Sequence, residues 1–322
     1  MGILILLFGL SVLVVGGELL VRGAVGFSKK MKISSLVIGM TVVAFGTSAP
    51  ELLVSAQSAI GGNPGIAIGN VIGSNIANIS LVLALTVIVF PIVMDRQTMR
   101  IDFPIMIFSM FLFSYFSFDG IITLIEGLIL FSLVFIFTFF LFINSRSKEN
   151  KSVVEIELSN KESFGKLILF FLLGFICLYF GAEWFIDGSV IIANYLFEGN
   201  PDKDLIIGVT VVAFGTSVPE LATSLVAAYR KEPSLSIGNL IGSNIFNILL
   251  VLGFTSIIKP IKVSQDVLIF DSVYMIGVAF LLMILFLIGK KINRFKGIVL
   301  ILSYIVYILI VLFRMKTGVL EF

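Results

Sequence analysis

An all-α, polytopic membrane protein is the fold class that this 322-residue sequence predicts, and three observations predict it. The chain is 58% hydrophobic and only 13% charged, whereas soluble domains run at about 45 to 50% apolar and about 25% charged. Too few charges remain to cover a water-facing surface. The apolar residues fall in runs long enough to cross a bilayer as helices, without the alternation over about ten residues that marks a membrane β-barrel. Finally, one internal stretch occurs twice.

The runs lie at roughly 2 to 21, 35 to 59, 66 to 92, 101 to 117, 121 to 143, 166 to 187, 205 to 228, 235 to 258, 267 to 289 and 298 to 313, punctuated by Gly, Pro, Asn or charge. Ten transmembrane helices are therefore expected. The first run is expected to remain in the fold rather than act as a cleaved signal: it lacks a charged leader, carries Glu18 and Arg22, and leads straight into another span. The longest polar stretch, Asn144 to Lys166, separates five runs from five and is too short to fold alone. The expected organisation is a first five-helix repeat over 1–143, a cytoplasmic linker over 144–166 and a second repeat over 167–322.

Composition also excludes chemistry. With no histidine there is no His-ligated zinc or haem and no His proton relay, and Cys177, the single cysteine, has no disulfide partner. The formal charge of +2 carries no information about a nucleic-acid partner; the placement of the charges does.

The duplication is sharp. Ile38 to Leu52, IGMTVVAFGTSAPEL, returns at Ile207 to Leu221 as IGVTVVAFGTSVPEL, identical at 13 of 15 positions. Ile68 to Ile79, IGNVIGSNIANI, returns at Ile237 to Ile248 as IGNLIGSNIFNI, identical at 10 of 12, and both pairs share one offset of 169 residues. Five spans per half, an odd number, place the halves in opposite orientations. Loop charge agrees: with the N-terminus outside, 17 of the 22 basic residues fall on inward loops and 5 on outward ones. Basic residues favour the cytoplasmic side, so both termini are expected outside, the linker inside, and the repeats inverted.

Each repeat contains GTSxPE. Pro50 offers no N–H to the carbonyl of Gly46 and its ring clashes there, and Pro219 does the same to Gly215. A helix broken at membrane depth is tolerated where backbone lines a cavity or is buried in protein, and paired breaks in two halves mark ion sites in secondary transporters. The carbonyls of Ala44 and Ala213 are candidate ligands beside the breaks. Thr47 and Glu51, Thr216 and Glu220, Ser74 and Asn78, and Ser243 and Asn247 each stand four apart and share a face if the turn stays near-helical. Two hydroxyls, a carboxylate and an amide per half make an all-oxygen cage, which suits a hard cation such as Ca²⁺ or Na⁺.

Glu51 and Glu220 are the only acids in the repeat motifs, and neither motif contains a Lys or Arg. An ionised side chain at bilayer depth costs about 2.5 to 3.5 kcal/mol on the insertion scale for Asp, Lys or Arg. The pair therefore calls for two compensating charges, supplied by one Ca²⁺, several Na⁺ or protons, which reads as an ion exchanger. Other polar positions have structural readings. Gly69, Gly73, Gly238 and Gly242 are expected as helix-packing contacts. Asn70, Asn75, Asn239 and Asn244 suit cross-helix hydrogen bonds and ion contacts equally. Glu18 with Arg22 reads as a salt bridge near a helix end, and Glu126, Glu183 and Asp187 as span-end residues.

At these positions the sequence resembles the prokaryotic Na⁺/Ca²⁺ exchangers of the cation/Ca²⁺ exchanger superfamily: Gly46 to Glu51 with Gly73 to Asn78, and Gly215 to Glu220 with Gly242 to Asn247, look like that family's α-repeats. The resemblance implies a cluster of cation sites between the repeats, with Glu51, Thr47, Glu220 and Thr216 at calcium. Ala44, Ala213, Ser74, Ser243, Asn78 and Asn247 would complete sodium sites, and Ser48 and Ser217 are further motif positions nearby. Family members often carry an aspartate where Asn78 or Asn247 stands, and potassium-dependent relatives use an acid in the second repeat; asparagine at both implies K⁺ independence. The linker cannot hold the cytosolic Ca²⁺-sensing domains of animal exchangers.

The sequence thus predicts a secondary Na⁺/Ca²⁺ antiporter of the cytoplasmic membrane working by alternating access. Its partners would be Ca²⁺, Na⁺ and the bilayer, with no cofactor, no nucleic acid and no obligate protein partner. H⁺/Ca²⁺ antiport is the alternative, disfavoured because such relatives have a GNxxE-like motif in place of GTSxPE. A passive cation channel is disfavoured by the paired helix breaks. An enzyme is not expected, since no nucleophile with a general base is present beyond Ser and Glu near a break.

Overall fold

The computed structural model describes residues 1–93, 98–145, 162–196, 213–289 and 291–316. Twelve helical segments follow in order. They are α1 (Gly2–Met31), α2 (Ser35–Thr47), α3 (Ala49–Ile60), α4 (Pro64–Val89), α5 (Thr98–Phe116), α6 (Leu124–Ser145), α7 (Phe164–Leu196), α8 (Ala213–Gly215), α9 (Val218–Tyr229), α10 (Pro233–Ile258), α11 (Val267–Leu287) and α12 (Arg294–Lys316). Among the described residues eight helices are long and apolar enough to cross a membrane, nine when the bent pair α2–α3 counts as one span. The expected run at 205–228 begins outside the described residues, and α8 and α9 are its described remainder.

Local chemistry starts these helices where it should. Ser34 accepts a hydrogen bond from the Val37 N–H at 3.3 Å at the start of α2. Thr123 and Glu126 form a reciprocal box at the start of α6, the Thr123 N–H donating to Glu126 Oε2 at 2.7 Å. Pro64 and Pro233 open α4 and α10 in the first turn, where no backbone N–H is needed.

Burial sorts the helices into layers. α4 and α10 bury 78% and 83% of their most apolar stretches, against 17 to 33% for the other long helices. The two helices that carry the GSNIxN motifs are therefore the centre of the bundle. Around them, α6 presents Phe135, Ile136 and Phe139, and α12 presents Leu302, Leu309 and Phe313, all exposed. Such continuous apolar surface suits lipid rather than water.

α1 continues ten residues beyond the expected run at 2 to 21. Glu18 and Arg22 consequently lie inside the helix rather than near its end, and Glu18 also accepts from Arg230 Nε, just past α9, at 2.9 Å. Glu183 and Asp187 likewise fall within α7. α1 and α7 run antiparallel with Gly2, Gly9 and Gly16 set against Gly188, Gly181 and Gly174. A Cβ at Gly9 would stand 2.5 Å from the Phe185 nitrogen and 2.8 Å from the Gly181 oxygen, so close backbone approach leaves no room for a side chain there.

Among the described residues four two-residue strands modify the all-α expectation only locally: β1 (Ile92–Val93), β2 (Ile121–Ile122), β3 (Ile261–Lys262) and β4 (Lys291–Ile292). β1 pairs with β4 and β2 with β3, both antiparallel, so each ribbon ties one half of the chain to the other.

Candidate cation site

The break expected from GTSxPE is present. α2 ends at Thr47, Ser48 takes φ −84° and ψ 5°, and α3 leaves at 42° to α2 with Pro50 in its first turn. Ser217 repeats this geometry at φ −88° and ψ 2° between α8 and α9, with Pro219 in the first turn. Each proline therefore starts a new helix instead of kinking an old one. The break falls between Thr47 and Glu51, so the two do not share one continuous helix face. Glu51 and Glu220 occupy the third positions of α3 and α9, where the positive end of the helix dipole favours a carboxylate.

Both carboxylates are fully buried. Neither oxygen of Glu51 has a hydrogen-bond partner; in Glu220, Oε1 accepts only a long 3.5 Å bond from the Ser243 hydroxyl and Oε2 has none. Ser74 faces Glu51, Thr47 and Ser243 face Glu220, and the two carboxylates lie near enough to repel each other. Among the described residues no ion pair includes either acid. Buried charge without a partner is costly, so a positive charge beside this pair would offset that cost.

The hydroxyls cross between halves. Thr47 Oγ1 lies 3.2 Å from Ser243 Oγ and donates to Asn239 Oδ1 at 3.1 Å, while Ser74 Oγ lies 3.3 Å from Thr216 Oγ1. Ser48 and Ser217 are buried with unpartnered hydroxyls. Asn78 and Asn247 are buried at the start of wide π turns, Asn78–Val82 and Asn247–Leu252. Both amide atoms of Asn78 and the oxygen of Asn247 lack partners, and π turns inside α-helices recur at functional sites. The Ala44 carbonyl already accepts from the Ser48 N–H at 2.9 Å, with Thr47 Oγ1 3.4 Å away, leaving it less to offer than a free carbonyl. Of Ala213 only its place at the start of α8 is described.

The remaining asparagines support the helices. Asn70 Nδ2 donates to Ser55 Oγ at 3.0 Å and to the Glu51 carbonyl at 3.2 Å, and Asn239 Nδ2 donates to Ser224 Oγ at 3.2 Å. Asn75 and Asn244 bond across and along the central helices. Gly238 and Gly242 are packing contacts against α2, as expected. Gly69 and Gly73 have no such neighbour among the described residues; the counterparts of Leu36 and Met40, positions 205 and 209, lie outside them.

Ser55 and Ser224 were not singled out by the sequence, although the 169-residue offset relates them. The same offset relates Asp102 and Asp271, both buried; Asp271 accepts from the Tyr307 hydroxyl at 3.1 Å and faces Arg314 at 3.6 Å. Among the described residues no three His, Cys, Asp or Glu side chains gather into a cluster. The arrangement is one of hard oxygen donors only, and it fits Ca²⁺ or Na⁺ as cargo.

Sequence comparison matches residues 1–143 and 166–313 to the sodium/calcium exchanger protein family. The chain belongs to this family. It is 34% identical to the sodium/calcium exchanger MaX1 of Methanosarcina acetivorans, over 96% of this chain and 98% of that protein. The inner membrane protein YrbG of Escherichia coli is 32% identical over 80% of this chain and 79% of its own length. The crystal structure of the sodium-calcium exchanger NCX_Mj superposes with a TM-score of 0.80 at 34% identity, covering 95% of this chain and 97% of that one. An exchanger-family membrane fold makes this chain a transporter, not an enzyme.

Proposed function

We propose that this exchanger-family protein moves Ca²⁺ against Na⁺ across the cytoplasmic membrane by alternating access, with no requirement for K⁺. One observation carries the reading: Glu51 and Glu220 are fully buried, have no cationic partner among the described residues, and are framed by hydroxyl and amide oxygens. One Ca²⁺ balances the pair, and so do Na⁺ ions entering in its place, so each cargo displaces the other. Glu51, Glu220, Thr47 and Thr216 hold Ca²⁺ in this reading. Ser74, Ser243, Asn78, Asn247 and the Ala44 and Ala213 carbonyls serve Na⁺, with Ser48 and Ser217 beside them.

NCX_Mj crystals soaked with Na⁺ and Ca²⁺ support the choice of cargo. Neutral amides at both Asn78 and Asn247 support K⁺ independence, because an additional K⁺ beside Ca²⁺ would leave positive charge uncompensated where the local dielectric is low. Ten spans in two inverted repeats, over 1–143 and 167–322 joined by the 144–166 linker with both termini outside, account for the 169-residue offset and the basic-residue bias.

The test is ⁴⁵Ca²⁺ uptake into proteoliposomes. A Na⁺ gradient drives uptake at full rate with K⁺ absent from both sides; choline in place of Na⁺ stops it, and a pH gradient alone does not restore it. A strict K⁺ requirement, or uptake driven by protons without Na⁺, overturns the reading.

A further inference from the structure

Resting on the exchange reading, we propose that Asn75 is a positioning residue that turns the side-chain oxygen of Asn247 toward the transported cation. A side-chain amide offers its oxygen to a cation only when its NH₂ has an acceptor elsewhere, since an NH₂ aimed at the ion repels it. Asn247 meets this condition through the other half of the chain: its Nδ2 donates to Asn75 Oδ1 at 3.1 Å, and its own Oδ1, fully buried, is left without a partner.

The orientation of Asn75 is itself dictated. Its Nδ2 lies 3.3 Å from the backbone oxygen of Asn244, which can only accept, and 3.6 Å from Met275 Sδ. The Asn75 NH₂ must face that carbonyl, its oxygen must therefore face Asn247, and Asn247 must answer with its NH₂. Both amide orientations thus follow from one backbone carbonyl rather than from a choice between nitrogen and oxygen.

The repeat mates do not reciprocate. Asn244 donates to the Leu240 carbonyl of its own helix at 2.8 Å, and the amide atoms of Asn78 have no hydrogen-bond partner. The device is one-sided: the second-half amide is preset, and the first-half amide has no partner to preset it.

The experiment measures the half-saturating Na⁺ and Ca²⁺ concentrations of the purified protein in proteoliposomes. Asn75→Ala raises half-saturating Na⁺ by about tenfold, the scale of one misplaced hydrogen-bonding group in a buried site, whereas Asn244→Ala changes it by less than about twofold. Asn247→Asp presents oxygen whichever way it turns, so adding Asn75→Ala to Asn247→Asp produces no further rise. Should Asn75→Ala fail to fold by size-exclusion chromatography, Asn75→Ser, too short to reach both partners, takes its place. An equal rise in the Asn247→Asp background, an equal loss in Asn244→Ala, or unchanged half-saturation in Asn75→Ala overturns the proposal. Normal exchange by Glu51→Gln would instead overturn the exchange reading itself, so the two failures are distinct.

Discussion

The hydroxyls of Thr47 and Ser243 stand 3.2 Å apart although 196 positions separate them in the chain, and their repeat mates Thr216 and Ser74 stand 3.3 Å apart. Each broken helix therefore meets the central helix of the opposite half. This crossing gives a direct expectation for the energetics of the site. Thr47→Ala and Ser243→Ala each raise half-saturating Ca²⁺ by about 5- to 10-fold, and the double variant rises by less than the product, with a coupling of about 0.5 to 3 kcal/mol. Strict additivity in ⁴⁵Ca²⁺ uptake would show that the two hydroxyls act independently.

Glu51→Gln and Glu220→Gln each abolish exchange while leaving the fold intact. The amide preserves the shape of the side chain but removes half of the negative charge that balances one Ca²⁺, and no neighbouring cation among the described residues depended on it. Uptake assays paired with thermal melting in detergent check both halves of this statement. Near-normal uptake by either folded variant removes that carboxylate from the site.

Gly65 and Ser234 are exposed, occupy the first turns of α4 and α10, and are related by the 169-residue offset. The proposed inversion of the repeats would place them on opposite sides of the membrane. In a Cys177→Ser background, Gly65→Cys labels with a membrane-impermeant thiol reagent from outside intact cells, and Ser234→Cys labels only after the cytoplasmic face is opened. Labelling of both from one side contradicts the inversion.

Gly9→Val separates α1 from α7. The added side chain meets the Phe185 nitrogen at 2.5 Å, and backbone cannot yield as a flexible side chain does. Overpacking of this kind costs about 1 to 3 kcal/mol, so the detergent-solubilised variant melts at a lower temperature than the parent. Gly165→Ala, where nothing described lies within 4 Å of the added Cβ, leaves the melting temperature nearly unchanged.

Much of the site was legible in one dimension because its signals are local and repeated. Pro50 and Pro219 break a helix through their own missing N–H. Glu51 and Glu220 declare themselves as acids in apolar runs with no basic neighbour, and the shared offset exposes the duplication. The extent of α1 was not legible in the same way: Gly23, Ser28, Lys29 and Lys30 look like a polar exit from the membrane, yet the helix runs on to Met31, with Gly23 packed against Leu167 and Phe171 of α7.

By itself, then, the sequence determined the membrane class, the positions of the two helix breaks, the pair of unpaired carboxylates and the all-oxygen chemistry around them, since each follows from covalent structure and neighbours along the chain. Only the tertiary structure decided that Thr47 meets Ser243, that Asn75 meets Asn247, that α4 and α10 lie innermost and that α1 packs on α7 through glycine. These contacts join residues more than 140 positions apart. They form only when two separate halves bury their helices against each other, and hydropathy and spacing within either half hold no record of which partner the other half presents.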